Sequence, residues 1–216
     1  MCGAYTVINN PFVNTMTEML GVGQVETRNI RVPASTVQII NTVHGERQLV
    51  DAKWWLMLNP DGKPNYKYST FNSRYDKLFS SNLTKGLYAK SRCIFPATGI
   101  IEGQDKKYHY IEPKTGALAL GGICKHYKIG EDWITTASII TCPGNPKLEN
   151  IHKKSIPLML DYHDSELINA WLDSGIPGDA FSDLLTNKIT IDLIATPIVG
   201  ARKLEPRGEQ ILLTAD

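Results

Sequence analysis

The chain has 216 residues, 42% of them apolar and 21% charged, enough to bury one sizeable core and consistent with one globular domain over 1–216. Its 23 basic and 22 acidic residues leave a formal net charge of +1, which excludes strong non-specific attraction to nucleic acid and confines any such contact to a local basic patch. No run reaches the roughly 18 apolar residues of a membrane span, and the opening MCGAYTVINNPFVN has neither a basic leader nor an apolar signal-length stretch, so the expectation is a soluble, cytoplasmic protein.

In chain order, residues 36–43 are rich in β-branched side chains and predict a strand, and NPDGKPN at 59–65 predicts a turn. The apolar segment GIIEG (99–103) reads as a strand carrying Glu102. Further strands are predicted over 109–113, 117–124 and 133–141, separated by KTG at 114–116 and followed by CPGNP at 142–146. A helix over 164–174 opens with an N-cap candidate, places Leu167, Ile168, Trp171 and Leu172 on one stripe, and is expected to stop at Gly175. A second short helix over 178–186 and a strand over 188–196 complete the pattern. The fold class is α+β: a single strand-dominated domain with a few short helices.

The four cysteines, Cys2, Cys93, Cys124 and Cys142, show no C-x-x-C spacing, which argues against a zinc site or a disulfide framework. Cys93 and Cys142 read as core thiols. Cys124 and His126 would share a strand face, but the spacing offers no further ligands, so neither metal nor cofactor is expected.

Cys2 has a different chemistry. Initiator methionine is usually removed before a small residue, which would leave a free α-amine and a thiol on Cys2. The amine has a reference pKa of about 7.7–8.0 and the thiol about 8.5, so both supply a nucleophilic fraction near neutrality. An aldehyde meeting this pair would form a Schiff base with the amine, after which the sulfur would close a five-membered thiazolidine.

Four blocks in order, MCGAY at the terminus, FNSR at 71–74, RCIFPATGIIEG at 92–103 and SIITCPGNPKLENIHKKSIPLML at 138–160, resemble the SOS response-associated peptidase (SRAP) family. Its hallmarks run MCGR[FY], N-A-R-x-E, R-C-[LI]-x-P-A-x-G-[FY]-[YF]-E-W and I-H-x-R-M-P. AWLD (170–173) and TPIVGARKLEPRGEQILL (196–213) extend the resemblance over nearly the whole chain. It implies a mainly antiparallel sheet. It also implies Cys2 as nucleophile, Asn72 as a polar group orienting substrate, Glu102 as the carboxylate beside the α-amine and His152 as the acid/base imidazole. Arg74 and Arg92 are then candidates for phosphate contacts or for surface ion pairs, and Lys153 or Lys154 stands where the family has arginine.

The function this implies is a DNA-damage response protein that becomes covalently linked through Cys2 to abasic sites in single-stranded DNA. A thiol peptidase or amidohydrolase, with Cys2 attacking an amide, is the second reading. A diverged DNA-binding module without catalysis is the third. Three departures bear on binding rather than chemistry. Ala4 replaces the family's arginine after Cys-Gly, Gly103 replaces the aromatic after the glutamate, and the W-G-[LY]-x-P-x-W block is reduced to KWWLMLNPDGK at 53–63. Fewer aromatic platforms for unpaired bases are expected.

Overall fold

The structure, a computed structural model, describes residues 2–216. Met1, and with it the expectation of its removal, lies outside them. Strand β1 (Tyr5–Val7) is followed by helix α1 (Pro11–Met19), β2 (Arg28–Arg31), β3 (Thr36–Val43), β4 (Glu46–Lys53), β5 (Asn72–Arg74) and α2 (Lys85–Lys90). The chain continues through β6 (Arg92–Ala97), β7 (Gly99–Gln104), β8 (Lys107–Pro113), β9 (Leu118–Ile129), β10 (Asp132–Pro143) and α3 (Glu149–His152). It ends with β11 (Ser155–Pro157), β12 (Met159–Leu160), α4 (Ser165–Leu172), β13 (Leu193–Gly200), β14 (Lys203–Pro206) and β15 (Ile211–Leu213).

The strands form two sheets, mainly antiparallel as expected. One runs β14-β13-β8-β7-β1-β2, with β15 also paired to β13. The other runs β11-β10-β4-β3-β6-β9-β12, and because β9 also pairs with β10 the path β10-β4-β3-β6-β9 closes on itself. Strands β4 and β5 meet β10 in parallel. Closure removes exposed edges, and it places β5 at a rim where its residues can reach the first sheet.

The predicted strands at 36–43, 109–113 and 133–141 fall on or within β3, β8 and β10, and the predicted strand at 117–124 covers the first part of β9. The strand predicted over 188–196 begins only at Leu193. Ile189 is buried, but its backbone carbonyl and amide bond the amide and the side chain of Asp216 rather than a neighbouring strand. Residues 178–184 form a 3₁₀ segment rather than an α-helix. In α4 the Asp164 side chain accepts from Leu167 N at 2.9 Å as an N-cap should, but the helix stops at Leu172 because Asp173 turns extended, before Gly175. Helix α1 was not anticipated, although its Asn10 cap accepts from Phe12 N at 2.8 Å with a proline at the first turn.

Three aromatic residues join the sheets. Trp54, fully buried, lies edge-on to Tyr5 at 5.1 Å and to Phe71 at 6.0 Å, and its indole N–H donates to the Phe71 carbonyl at 2.8 Å. Edge-to-face pairs add about 0.5–1.5 kcal/mol each beyond their buried area. The consequence is positional, since Tyr5 follows Cys2 and Phe71 precedes Asn72.

Candidate active site

Pinned in this way, Cys2 and Asn72 meet. The Asn72 Nδ2 donates to the Cys2 carbonyl at 2.9 Å, while its Oδ1 is sealed from solvent with no protein partner. Cys2 is 1% exposed and its thiol donates weakly to the Ala4 carbonyl at 3.7 Å. A buried amide oxygen left unpaired costs about 1–3 kcal/mol unless something outside the fold satisfies it. A substrate hydroxyl or an ammonium at the Cys2 terminus would do so.

Glu102 comes from β7, whose Ile100 and Ile101 are buried on opposite faces. The alternation places the Glu102 carboxyl on the face covered by α3. The residue is 4% exposed, its Oε1 has no partner, and burial pushes its carboxyl up to about 8. Helix α3 brings His152 over it. The imidazole Nδ1 lies 3.2 Å from the Gly103 carbonyl and 3.8 Å from Glu102 Oε2. Burial also holds His152 below its usual value. The Cys2 thiol is held well above the usual range, first by burial and then by the Glu102 charge. The structure therefore brings Cys2, from the segment ahead of β1, together with Asn72 of β5, Glu102 of β7 and His152 of α3.

The four basic candidates separate. Arg74 and Lys154 line a cavity of about 390 Å3 beside Thr141 and Ser155, whose hydroxyls are both buried without a partner. Arg74 meanwhile closes a two-point ion pair on Asp76, through Nε at 3.0 Å and Nη2 at 2.8 Å. Lys153 is exposed at an adjoining cleft with Asn145 and Glu149, and its backbone N–H donates to the Gln104 side chain at 3.4 Å.

Arg92 corrects the sequence expectation. Its guanidinium is inside the fold, donating to the carbonyls of Tyr88, Ala89, Trp171, Asp173 and Ile176 at 2.6–2.9 Å. It also stacks 4.8 Å from the Phe181 ring. A guanidinium has five N–H donors, and these bonds leave none for a phosphate. Arg92 ties α2, α4 and the 178–184 segment to β6.

Thr141, Ser155 and the Trp55 cluster escaped the sequence reading. Trp55 packs 5.1 Å from Tyr66 and 5.5 Å from Phe71, and Tyr66 is 69% exposed. This aromatic group adjoins Asn72 and presents one exposed ring, that of Tyr66, which the shortened 53–63 block did not suggest. Its signal was Tyr66 and Tyr68 just ahead of FNSR, together with that block's own Phe71. Gly103 has its own explanation: it faces Tyr108 across the β7–β8 ladder, and a Cβ there would come within 2.6 Å of the Tyr108 ring. The aromatic ring beside this position comes from the neighbouring strand. Cys93 and Cys142 are buried core thiols, and among the described residues no group of three or more His, Cys, Asp or Glu could hold a metal ion. Among the described residues no helix is long and apolar enough to cross a membrane.

The family model of the SOS response associated peptidase (SRAP) matches residues 1–199. The chain belongs to the SRAP family. Membership associates the protein with the response to DNA damage. Among solved structures, a protein from Bordetella bronchiseptica is 18% identical with a TM-score of 0.74, covering 91% of this chain and 99% of its own. A protein from Bacteroides thetaiotaomicron is 19% identical with a TM-score of 0.71, covering 91% and 92%. A phage-related protein from Bordetella bronchiseptica is 16% identical with a TM-score of 0.68, covering 95% and 100%. At these identities the likeness shows a shared fold alone. No curated protein matches the chain.

Proposed function

We propose that Cys2, freed as the first residue by removal of Met1, captures abasic sites in single-stranded DNA as a covalent thiazolidine. The observation that carries this reading is the buried Glu102 carboxyl beside Cys2, raised to about 8. An α-amine has a reference value of about 7.7–8.0, so a proton can pass between amine and carboxyl at little free-energy cost. An ordinary glutamate, far more acidic than the amine, would leave the amine protonated.

The steps follow from the residues. An abasic deoxyribose is mainly a closed hemiacetal, and His152 moves the ring-oxygen proton so that the aldehyde opens. The Cys2 amine gives a proton to Glu102 and attacks the aldehyde carbon. The carbonyl oxygen takes protons and leaves as water, giving an imine. The Cys2 sulfur then adds to the imine carbon and its proton passes to nitrogen. Asn72 holds the Cys2 carbonyl throughout. Arg74, Lys153 and Lys154 contact phosphates, with the Thr141 and Ser155 hydroxyls as further donors, and the exposed Tyr66 ring, backed by buried Trp55, stacks a neighbouring base.

A thiol peptidase would need the Cys2 sulfur ionised before attack. Burial and Glu102 keep that thiol protonated, which favours an order in which the amine acts first and the sulfur second. The test is incubation of mature protein with single-stranded DNA carrying one abasic site. A heat-stable adduct of protein plus DNA minus one water is expected, and Cys2→Ala abolishes it. Cys2→Ser should give only an imine that borohydride traps. No adduct from protein whose intact mass shows Met1 removed overturns the reading.

A further inference from the structure

Forming the ring from an ammonium terminus, an aldehyde and a thiol yields a neutral thiazolidine, one water and one proton. That proton must leave a site whose accepting groups are buried. Glu102 receives it, but Glu102 is itself 4% exposed.

The β7–β8 ladder sets His109 directly opposite Glu102. Directly opposed residues share one face of the sheet with Cβ atoms about 4.5–5.5 Å apart, so both side chains lie on the side that α3 covers. His109 Nδ1 and Glu102 Oε1 are both buried side-chain atoms with no partner. They are chemically complementary, one a proton acceptor and the other the oxygen of a carboxyl that burial keeps protonated. On its other side His109 faces Pro197 of β13, which has no polar side-chain group to offer. The residue as a whole keeps 9% of its surface exposed although Nδ1 is sealed. His109 thus lies across the ladder from the carboxyl with part of its surface open to solvent, while His152 flanks the other carboxyl oxygen at 3.8 Å.

We propose that His109 is a positioning residue that acts through Glu102, orienting its carboxyl and relaying the proton released during ring closure out to solvent. This rests on the crosslinking reading above. A carboxyl relays naturally: it takes the ammonium proton on Oε2 and gives the Oε1 proton to His109 Nδ1, and the imidazole releases one from its other nitrogen. No bond to carbon changes and charge is conserved at every transfer. Around His109 the titratable groups are Glu102, directly opposite on β7, and Lys107 on β8, whose charge acts on the imidazole; His152 of α3 lies against the Glu102 carboxyl and Lys154 acts on His152. Strand β13 carries no titratable residue.

Two measurements on the mature full chain test the relay. In NMR titrations the His109 imidazole should show two inflections in the wild type, its own and that of Glu102, and a single one in Glu102→Gln. A single, identical inflection in both proteins overturns the proposal, and this readout stands whether or not the protein crosslinks DNA. In single-turnover crosslinking, His109→Ala should lower the rate by about tenfold or more at unchanged DNA affinity, with added imidazole restoring it. His109→Gln, which keeps volume and an amide but cannot relay, should be equally slow and should not respond to imidazole. Wild-type rates in either variant, or a loss in His109→Ala that imidazole does not restore, overturn the relay.

Discussion

Replacing Glu102 with glutamine should change how stability depends on pH, and the size of the change follows from burial. Burial raises the carboxyl from 4.5 to about 8 in the folded chain. Between those values the native state holds a proton that the unfolded chain has released, so stability falls as pH rises. The contribution of neutral Glu102 is complete below about pH 4.5, declines through the interval and is lost above about pH 8. Each tenfold change in the carboxyl's proton affinity is worth about 1.4 kcal/mol, so the full window spans about 5 kcal/mol. At 4% exposure, solvent screening removes little of this. Glu102→Gln keeps the shape and cannot ionise, so its stability should lack this slope and should exceed that of the wild type most at alkaline pH. Urea unfolding of both proteins, with the same processed terminus, across about pH 5 to 8.5 measures the difference. Parallel curves would refute the raised carboxyl, and with it the proton match to the Cys2 amine.

Five substitutions elsewhere separate support of the fold from contact with DNA. Arg92→Met should destabilise by about 3–5 kcal/mol in thermal or urea unfolding, because five carbonyls lose their donor, yet leave DNA affinity of the folded protein unchanged. Trp54→Ala should cost about 3–5 kcal/mol and also slow crosslinking, since Trp54 fixes both Tyr5 and Phe71. Asp76→Asn should release Arg74 and tighten single-stranded DNA binding, whereas Arg74→Gln should weaken it and reduce the salt slope by about 0.7, measured by fluorescence anisotropy against salt concentration. Asn72→Leu should slow adduct formation by about tenfold to a hundredfold in single-turnover assays, through loss of the hold on the Cys2 carbonyl.

The strands that the sequence made legible are those whose neighbours are long strands. Thr36–Val43 pairs along its whole length with β4, and Asp132–Ile139 runs against Ile129–Gly122 of β9. Where the partner is a single residue, as Asp216 is for Ile189, alternation predicts an edge that the ladder does not extend to. The same logic explains Arg92. Its guanidinium chemistry suits phosphate and carbonyl oxygens equally, and only the fold decides that Asp173 and Ile176 arrive close enough to occupy it. Cys2, Asn72, Glu102 and His152 were legible as residue types within motifs. Their contacts were not, because they depend on the Tyr5–Trp54–Phe71 stack and on α3 lying across β7. His109 carried no motif at all, and only the β7–β8 register sets it opposite Glu102.

The register also recasts two departures from the family pattern. Ala4 is buried in a small cluster with Ile101, Tyr110 and Ile198, on the face away from the main core. An arginine there would have to leave that cluster to reach solvent, so in this chain the position contributes packing behind the reactive strand. Gly103 is the counterpart: the opposed Tyr108 ring occupies the space a Cβ would need. A glycine that lets a cross-strand aromatic lie over it keeps the sheet covered there. Both changes leave Cys2, Asn72, Glu102 and His152 untouched, so under the proposed function the contacts to DNA fall to Arg74, Lys154 and the exposed Tyr66 ring. If crosslinking is retained, its salt dependence should therefore respond to Arg74 and Lys154 and be unaffected by Ala4→Ser, a substitution small enough for the cluster to accept.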